Sequence, residues 1–136
     1  MKVKNLIFML CFTVGVGCIR QNDYCKIRHL VNQTFSHTGV KVEVDTIVVV
    51  GNYALDNWRQ GNIAGRCLFK KQNGNWVIWL CGGKGLKEVA GLVQAGIPAD
   101  TAQMLSQKIT DAESTFAPEI VQKFDDFGAT INMSEH

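Results

Sequence analysis

The chain has 136 residues, of which 46% are hydrophobic and 19% are charged. These proportions are typical of a packed globular protein and exclude a disordered chain. The length fits a single domain. With 14 basic and 12 acidic residues the formal net charge is only +2, and the basic residues form no stripe. Nucleic-acid binding takes most of its affinity from clustered Lys and Arg, so no nucleic-acid partner is expected.

The first 18 residues have the pattern of an export signal. Lys2 and Lys4 precede an unbroken apolar run, Leu6–Val16, that ends among small residues. This is the order of a secretory signal peptide, and the run is shorter than the ~20 residues that a membrane span needs. We therefore predict a signal peptide over residues 1–18, a single mature domain over residues 19–136, and a periplasmic location. A buried first helix is the alternative.

Gly17 and Cys18 add a second interpretation of this segment. A small residue followed by Cys is where bacterial lipoprotein signals are cut, although Gly15 stands where such signals usually carry Leu. Lipidation of Cys18 would anchor the protein in a membrane, and it is the only membrane association that the sequence predicts. Plain cleavage without a lipid is the alternative.

The residue pattern beyond the signal predicts an α+β fold. A polar lead-in over residues 19–24 precedes apolar residues at helical spacing, which predict a first helix between Cys25 and Gly39. Four antiparallel strands joined by tight turns follow as a β-meander: Val40–Val50, Tyr53–Trp58, Ile63–Lys71 and Trp76–Leu80. About three helices then cover the sheet, and their ends are marked by Gly96, Pro98, Pro118 and Gly128. Residues 130–133 are a candidate short edge strand.

Two cysteines lie on neighbouring strands of the last hairpin, and export favours their oxidation. If Asn73–Asn75 form a three-residue loop, Cys67 faces Cys81. If the loop has two residues, Cys67 faces Leu80 and Cys81 turns to the other side of the sheet. We predict a Cys67–Cys81 disulfide, with a bond from Cys25 to one of them as the alternative.

No arrangement of residues indicates a reaction. Asp56 has no second carboxylate that the sequence places beside it, and Cys81 has no base. The C-terminus has soft-metal character, because Met133 and His136 bring a thioether and an imidazole within three residues. Such ligands suit Cu(I). We therefore expect a non-catalytic protein with a candidate copper site at Met133 and His136, to which Cys81 is a possible third ligand.

An ordered series of short motifs resembles one family of small exported bacterial proteins, the copper uptake system-associated proteins. The matching features are Gly51–Ala54, Trp58, Gly65–Arg66, Trp76, Leu80–Gly82, Ala95–Pro98, Ala112–Glu113, Phe127–Gly128 and Met133. The resemblance covers residues 42–133 and implies a role in copper handling outside the cytoplasm, with copper-uptake proteins as partners. The chain departs from the family at Cys67, where a small or aliphatic residue is usual, which puts in doubt any role carried over for Cys81.

Three functions therefore stand as hypotheses. The first is an exported accessory protein of copper uptake or homeostasis that binds Cu(I) weakly. The second is a small-molecule-binding domain, since a leading helix and a curved antiparallel sheet with inward Trp side chains also resemble NTF2-like domains. The third is a structural lipoprotein that is anchored at Cys18 and acts through protein contacts.

Overall fold

The structure is a computed structural model that describes residues 16–36 and 39–134, with side chains from residue 22. It confirms the α+β class and the antiparallel sheet. In chain order the elements are α1 (Val16–Phe35), β1 (Val42–Val50), β2 (Tyr53–Gln60), β3 (Ile63–Gln72), β4 (Asn75–Gly82), a 3-10 turn (Lys84–Leu86), α2 (Val89–Gln94), α3 (Ala99–Glu113), α4 (Pro118–Asp125) and β5 (Ile131–Asn132). The sheet order is β1-β2-β3-β4-β5. The described sheet therefore has five strands, where the predicted meander had four.

Each hairpin of the meander closes through a two-residue turn. Val50 pairs with Tyr53, Gln60 with Ile63, and Gln72 with Asn75. The residues in these turns that adopt positive φ are Gly51, Gly61, Asn73 and Gly74. Glycine and asparagine tolerate this conformation, and such turns match the twist of the strands that they join. The turn signals in the sequence therefore located all three hairpins.

A β-bulge in β4 changes the register of the last hairpin. Near the turn the hairpin is paired as a two-residue loop requires, with Phe69 opposite Ile78. One pair further on, Leu68 lies opposite Leu80, so Trp79 is the extra residue of the bulge. This one-residue shift sets the face on which every later side chain of β4 lies.

The two faces of the sheet carry separate apolar clusters. The first cluster lies between the sheet and α1, and its buried members are Ile27, Val31, Val42, Ile47, Ala54, Trp58, Cys67, Phe69, Trp76, Ile78 and Cys81. The second cluster lies beneath α2 and α3, and its buried members are Val48, Leu55, Leu68, Leu86, Leu92, Ile97, Ala102, Leu105 and Ile109. The three Trp side chains are divided between these faces, since Trp79 packs on the second cluster. They therefore do not line one common cavity.

Helix α1 begins earlier than the sequence pattern indicated. It runs from Val16, so residues 19–24 belong to the helix and not to a loose lead-in, and the helix crosses the predicted boundary between residues 18 and 19. Asp23 in this stretch accepts a hydrogen bond from Trp76 Nε1 at 2.9 Å and lies 3.3 Å from Lys71 Nζ. Within the described part of the chain, no helix is long and apolar enough to cross a membrane.

The covering helices end where the sequence predicted. Gly96 and Gly128 both adopt positive φ after α2 and α4. Pro98 is the N-cap residue of α3, and Pro118 is at the start of α4, where the missing N–H of proline costs no hydrogen bond. Close approaches between elements also need glycine, for example at Gly65 and Gly83. A Cβ at Gly65 would meet the rings of Phe127 and Trp58, and a Cβ at Gly83 would meet the carbonyl of Asp125.

Candidate functional site

The predicted Cys67–Cys81 disulfide is confirmed. The two residues are directly paired across β3 and β4, with 4.2 Å between their Cα atoms. The loop has two residues, which by itself would place Cys67 opposite Leu80, and the bulge at Trp79 restores the pairing of the cysteines. Both are buried in the first cluster. The alternative bond from Cys25 is not formed, since Cys25 is a free, exposed thiol on α1.

Met133 lies close to the strand that carries Cys81. Strand β5 pairs Ile131 with Cys81, and the Met133 N–H donates to the carbonyl of Trp79 at 2.8 Å. Met133 follows Ile131 by two residues, so its side chain lies on the same face as Cys81, and it packs half-buried against the first cluster. His136, the other predicted ligand, lies outside the described residues. Cys18 lies in α1, where its side chain is also outside them.

The disulfide has consequences for metal binding. The Cys81 sulfur is bonded to Cys67, so it is no thiolate ligand while the bond is intact. Within residues 16–36 and 39–134, no group of three or more His, Cys, Asp or Glu side chains is placed to hold a metal ion. Among the predicted ligands, the described residues therefore contribute one thioether, that of Met133.

Asp56 places a buried carboxyl beside the disulfide. It is fully buried on β2, and its Oδ1 accepts the Cys67 N–H at 2.7 Å. Its Oδ2 has no hydrogen-bond partner within the described structure, and neither has Trp58 Nε1 two residues along the same strand. Burial raises the pKa of Asp56 well above its usual value, because an apolar surrounding penalises the charged carboxylate. Sequence reasoning noticed Asp56 but assigned it no partner.

On the opposite face of the sheet, Glu113 is the centre of a buried polar network. It lies at the end of α3 with 2% of its surface exposed. Its Oε1 accepts hydrogen bonds from Asn57 Nδ2 and Arg66 Nε, both at 2.8 Å. Its Oε2 accepts one from Lys87 Nζ at 2.7 Å. The carboxylate is therefore bound to β2, β3 and the residue that follows the 3-10 turn.

Arg66 extends this network to α4. Its guanidinium lies 2.7 Å from Asp125 Oδ1, donates to the carbonyl of Gly83 at 3.0 Å, and lies over the ring of Phe124. The two cations, Arg66 and Lys87, balance Glu113 and Asp125. A cleft of about 380 Å³ opens above these groups between the end of α3 and α4. Because each charge faces an opposite one at short range, the network joins β2, β3, α3 and α4.

Sequence reasoning did not find this network, although two signals were present. Arg66 is a charged residue inside the otherwise apolar stretch Ile63–Phe69 of β3. Glu113 continues the helical spacing of Leu105 and Ile109 on α3. A charged residue in each of two buried patterns indicates a buried ion pair.

Comparison of the chain with protein-family models, with curated proteins and with solved structures found no match.

Proposed function

We propose that the protein is an exported, non-catalytic accessory protein of copper uptake or copper homeostasis that binds Cu(I) weakly at its C-terminal edge. Two observations support export: the signal-like N-terminus and the buried disulfide, since disulfides persist in oxidising compartments such as the periplasm. The link to copper is supported by the family resemblance and by the soft ligands. Copper-uptake proteins would be its partners.

The position of Met133 carries the metal assignment. Its backbone is fixed by the hydrogen bond to Trp79, so its thioether stays at the sheet edge, and His136 follows three residues later. A thioether and an imidazole are ligands that Cu(I) accepts. Because the oxidised Cys81 contributes no thiolate, the site has few ligands and its affinity is expected to be low.

The Cu(I) affinity of the oxidised protein tests this assignment. Competition with a chromophoric Cu(I) chelator gives the dissociation constant for the wild type and for the Met133→Ala/His136→Ala variant. The matched control is Met104→Ala/His29→Ala, which removes one exposed Met and one exposed His elsewhere on the surface. We expect loss of Cu(I) affinity only in the Met133→Ala/His136→Ala variant. Equal affinity of both variants and the wild type would reject a copper site at Met133 and His136, called the tail site below.

The intact mass of the exported protein tests location and anchoring. Cleavage near residue 18 without a lipid corresponds to a soluble periplasmic protein. A diacylated Cys18 corresponds to a membrane-anchored one, in which the chain acts as a lipoprotein module through protein contacts. An unmodified mature N-terminus other than Cys18 would exclude the anchor.

An NTF2-like ligand-binding domain is the second hypothesis from the sequence. In that arrangement the ligand would lie between the leading helix and the sheet. Here α1 covers that face, and side chains such as Trp58, Phe69 and Trp76 occupy the space beneath it. The cleft of about 380 Å³ lies on the opposite side, over Glu113. We therefore favour the accessory role.

A further inference from the structure

We propose that reduction of the Cys67–Cys81 disulfide converts the C-terminal edge into a tight site for one soft monovalent metal ion, with the two thiolates and the Met133 thioether as ligands. This inference rests on the proposed function, because it makes the disulfide a redox gate on the same copper site. Three sulfur side chains on the same face of the sheet carry it: Cys67 of β3, Cys81 of β4 and Met133, which follows β5.

The strand pairing holds the cysteines at a separation that fits a shared metal ion. Their Cα atoms are 4.2 Å apart because β3 and β4 pair them directly, and this pairing does not depend on the disulfide alone. Trigonal coordination at about 2.3 Å per metal–sulfur bond places two sulfurs about 4 Å apart. Side chains of directly opposite residues have Cβ atoms about 4.5–5.5 Å apart, so the thiolates reach this spacing by side-chain rotation.

Met133, the residue that follows β5, supplies the third sulfur. Ile131 is paired with Cys81, and Met133 lies two residues further along on the same face. Such diagonal neighbours are within reach of a long, flexible side chain. The surrounding cluster is apolar, which would keep water away from a bound Cu(I).

The site is closed to solvent in the folded chain. Cys67 is 0% exposed and Cys81 is 2% exposed, so a reductant or a metal ion reaches the sulfurs only when the structure opens locally. Strand β5, which pairs with β4 at Cys81, has only two residues, Ile131–Asn132. A two-residue edge strand makes few backbone hydrogen bonds, so it opens at a lower free-energy cost than a core strand.

Reduction of the bond needs a two-electron donor, which in the proposed gate is a dithiol. The reductant transfers two electrons and two protons, its own sulfurs form a disulfide, and the Cys67–Cys81 bond becomes two thiols. Metal binding then releases both thiol protons to solvent. In the reverse direction a disulfide oxidant accepts two electrons from the two thiolates, takes up two protons and becomes two thiols, while the Cys67–Cys81 bond forms. The metal ion then keeps only the weak ligands Met133 and His136.

The test compares Ag(I), a redox-inert substitute for Cu(I), on oxidised and reduced protein. In the test a phosphine replaces the dithiol: it becomes the phosphine oxide with an oxygen atom from water, and the disulfide becomes two thiols. It is used in excess, in denaturant where needed, and is removed before anaerobic refolding and a thiol count. Because Cys25 is a free thiol that binds Ag(I) in either redox state, the comparison is made in the Cys25→Ser background. There we expect the reduced chain to bind one Ag(I) at least about 100-fold more tightly than the oxidised chain, because soft ions prefer thiolates. The gain should disappear when Cys67→Ser is added, shrink with Met133→Leu, and persist with the control Met104→Leu.

Thermal unfolding provides a second measurement, made on the chain in which all three proposed ligands are in place. If the site forms, one equivalent of Ag(I) raises the melting temperature of the reduced wild type. Equal Ag(I) affinity of the two redox states, or a reduced chain that Ag(I) does not stabilise, would overturn the proposal. The tail site is tested by the Cu(I) affinity of oxidised protein, and the redox gate is tested by Ag(I) binding to reduced protein. Either proposal can therefore fail without the other.

Discussion

Replacing Glu113 with Gln tests whether the buried network stabilises the fold. The substitution keeps the size of the side chain and removes its charge. Glu113 receives hydrogen bonds from Asn57, Arg66 and Lys87, and Arg66 is fully buried. Removing one partner of a buried ion pair typically costs about 3–5 kcal/mol, because the remaining charge is left without compensation.

The lower end of this range applies here. Arg66 keeps Asp125 at 2.7 Å after the substitution. Lys87 has 24% of its side chain exposed and can turn towards solvent. We therefore expect Glu113→Gln to lower the free energy of unfolding by about 3 kcal/mol, which corresponds to a decrease of roughly 10 °C in melting temperature for a domain of this size.

Chemical denaturation of the oxidised protein at neutral pH measures this difference. The matched control is Glu88→Gln, because Glu88 is exposed and lies 3.7 Å from Lys84 in a surface ion pair. Such a pair contributes at most about 1 kcal/mol, so the control should change stability little. A loss below about 1 kcal/mol in Glu113→Gln would refute the argument that the network stabilises the fold through its charges.

Three further substitutions address other features of the fold. Burial raises the pKa of Asp56, so the folded chain keeps this proton to higher pH than the unfolded chain does. The free energy of unfolding should then fall as pH rises above about 4, by up to ~1.4 kcal/mol per pH unit, until the pKa of the folded chain is passed. Denaturant titrations at several pH values measure this profile, and Asp56→Asn should flatten it. Parallel profiles for the two proteins would contradict the assignment. Cys67→Ala/Cys81→Ala should lower the free energy of unfolding by about 3 kcal/mol, as expected for a disulfide that closes a loop of this length. An unchanged denaturation midpoint would show that the disulfide does not stabilise the fold. Gly91→Ala should cost about 1–3 kcal/mol, because the new methyl group meets the carbonyl of Gly85, whereas Gly85→Ala meets nothing and should be neutral in thermal melts.

The sequence predicted the Cys67–Cys81 disulfide correctly, but it did not predict how the two residues come to be paired. The hairpin combines a two-residue loop with a β-bulge. Turn chemistry correctly indicates Asn73–Gly74, since both residues adopt positive φ. A two-residue loop alone would have separated the cysteines. The bulge at Trp79 shifts the register back, and no local propensity signals it, because its position depends on how β4 packs against both clusters.

The buried network and the start of α1 were harder to predict for different reasons. Arg66 and Glu113 are 47 residues apart, and only the packing of α3 against the sheet brings them together. At α1, the apolar spacing begins at Ile27, while the preceding residues 22–24 are polar or aromatic: Asn22 is exposed, and Asp23 and Tyr24 are half-buried. Periodicity detects the buried face of a helix and is insensitive to turns that extend beyond it.

The position of β5 has a consequence for the order of events during synthesis. The cysteines are separated by 14 residues within one hairpin, so the second of them has been made 50 residues before Ile131. Chains are made from the N-terminus, and a hairpin forms within microseconds once its strands are available. The cysteines can therefore be paired across β3 and β4 while the outer edge of β4 is still open. When Ile131 and Asn132 join the sheet, they pair with an edge whose register is already set.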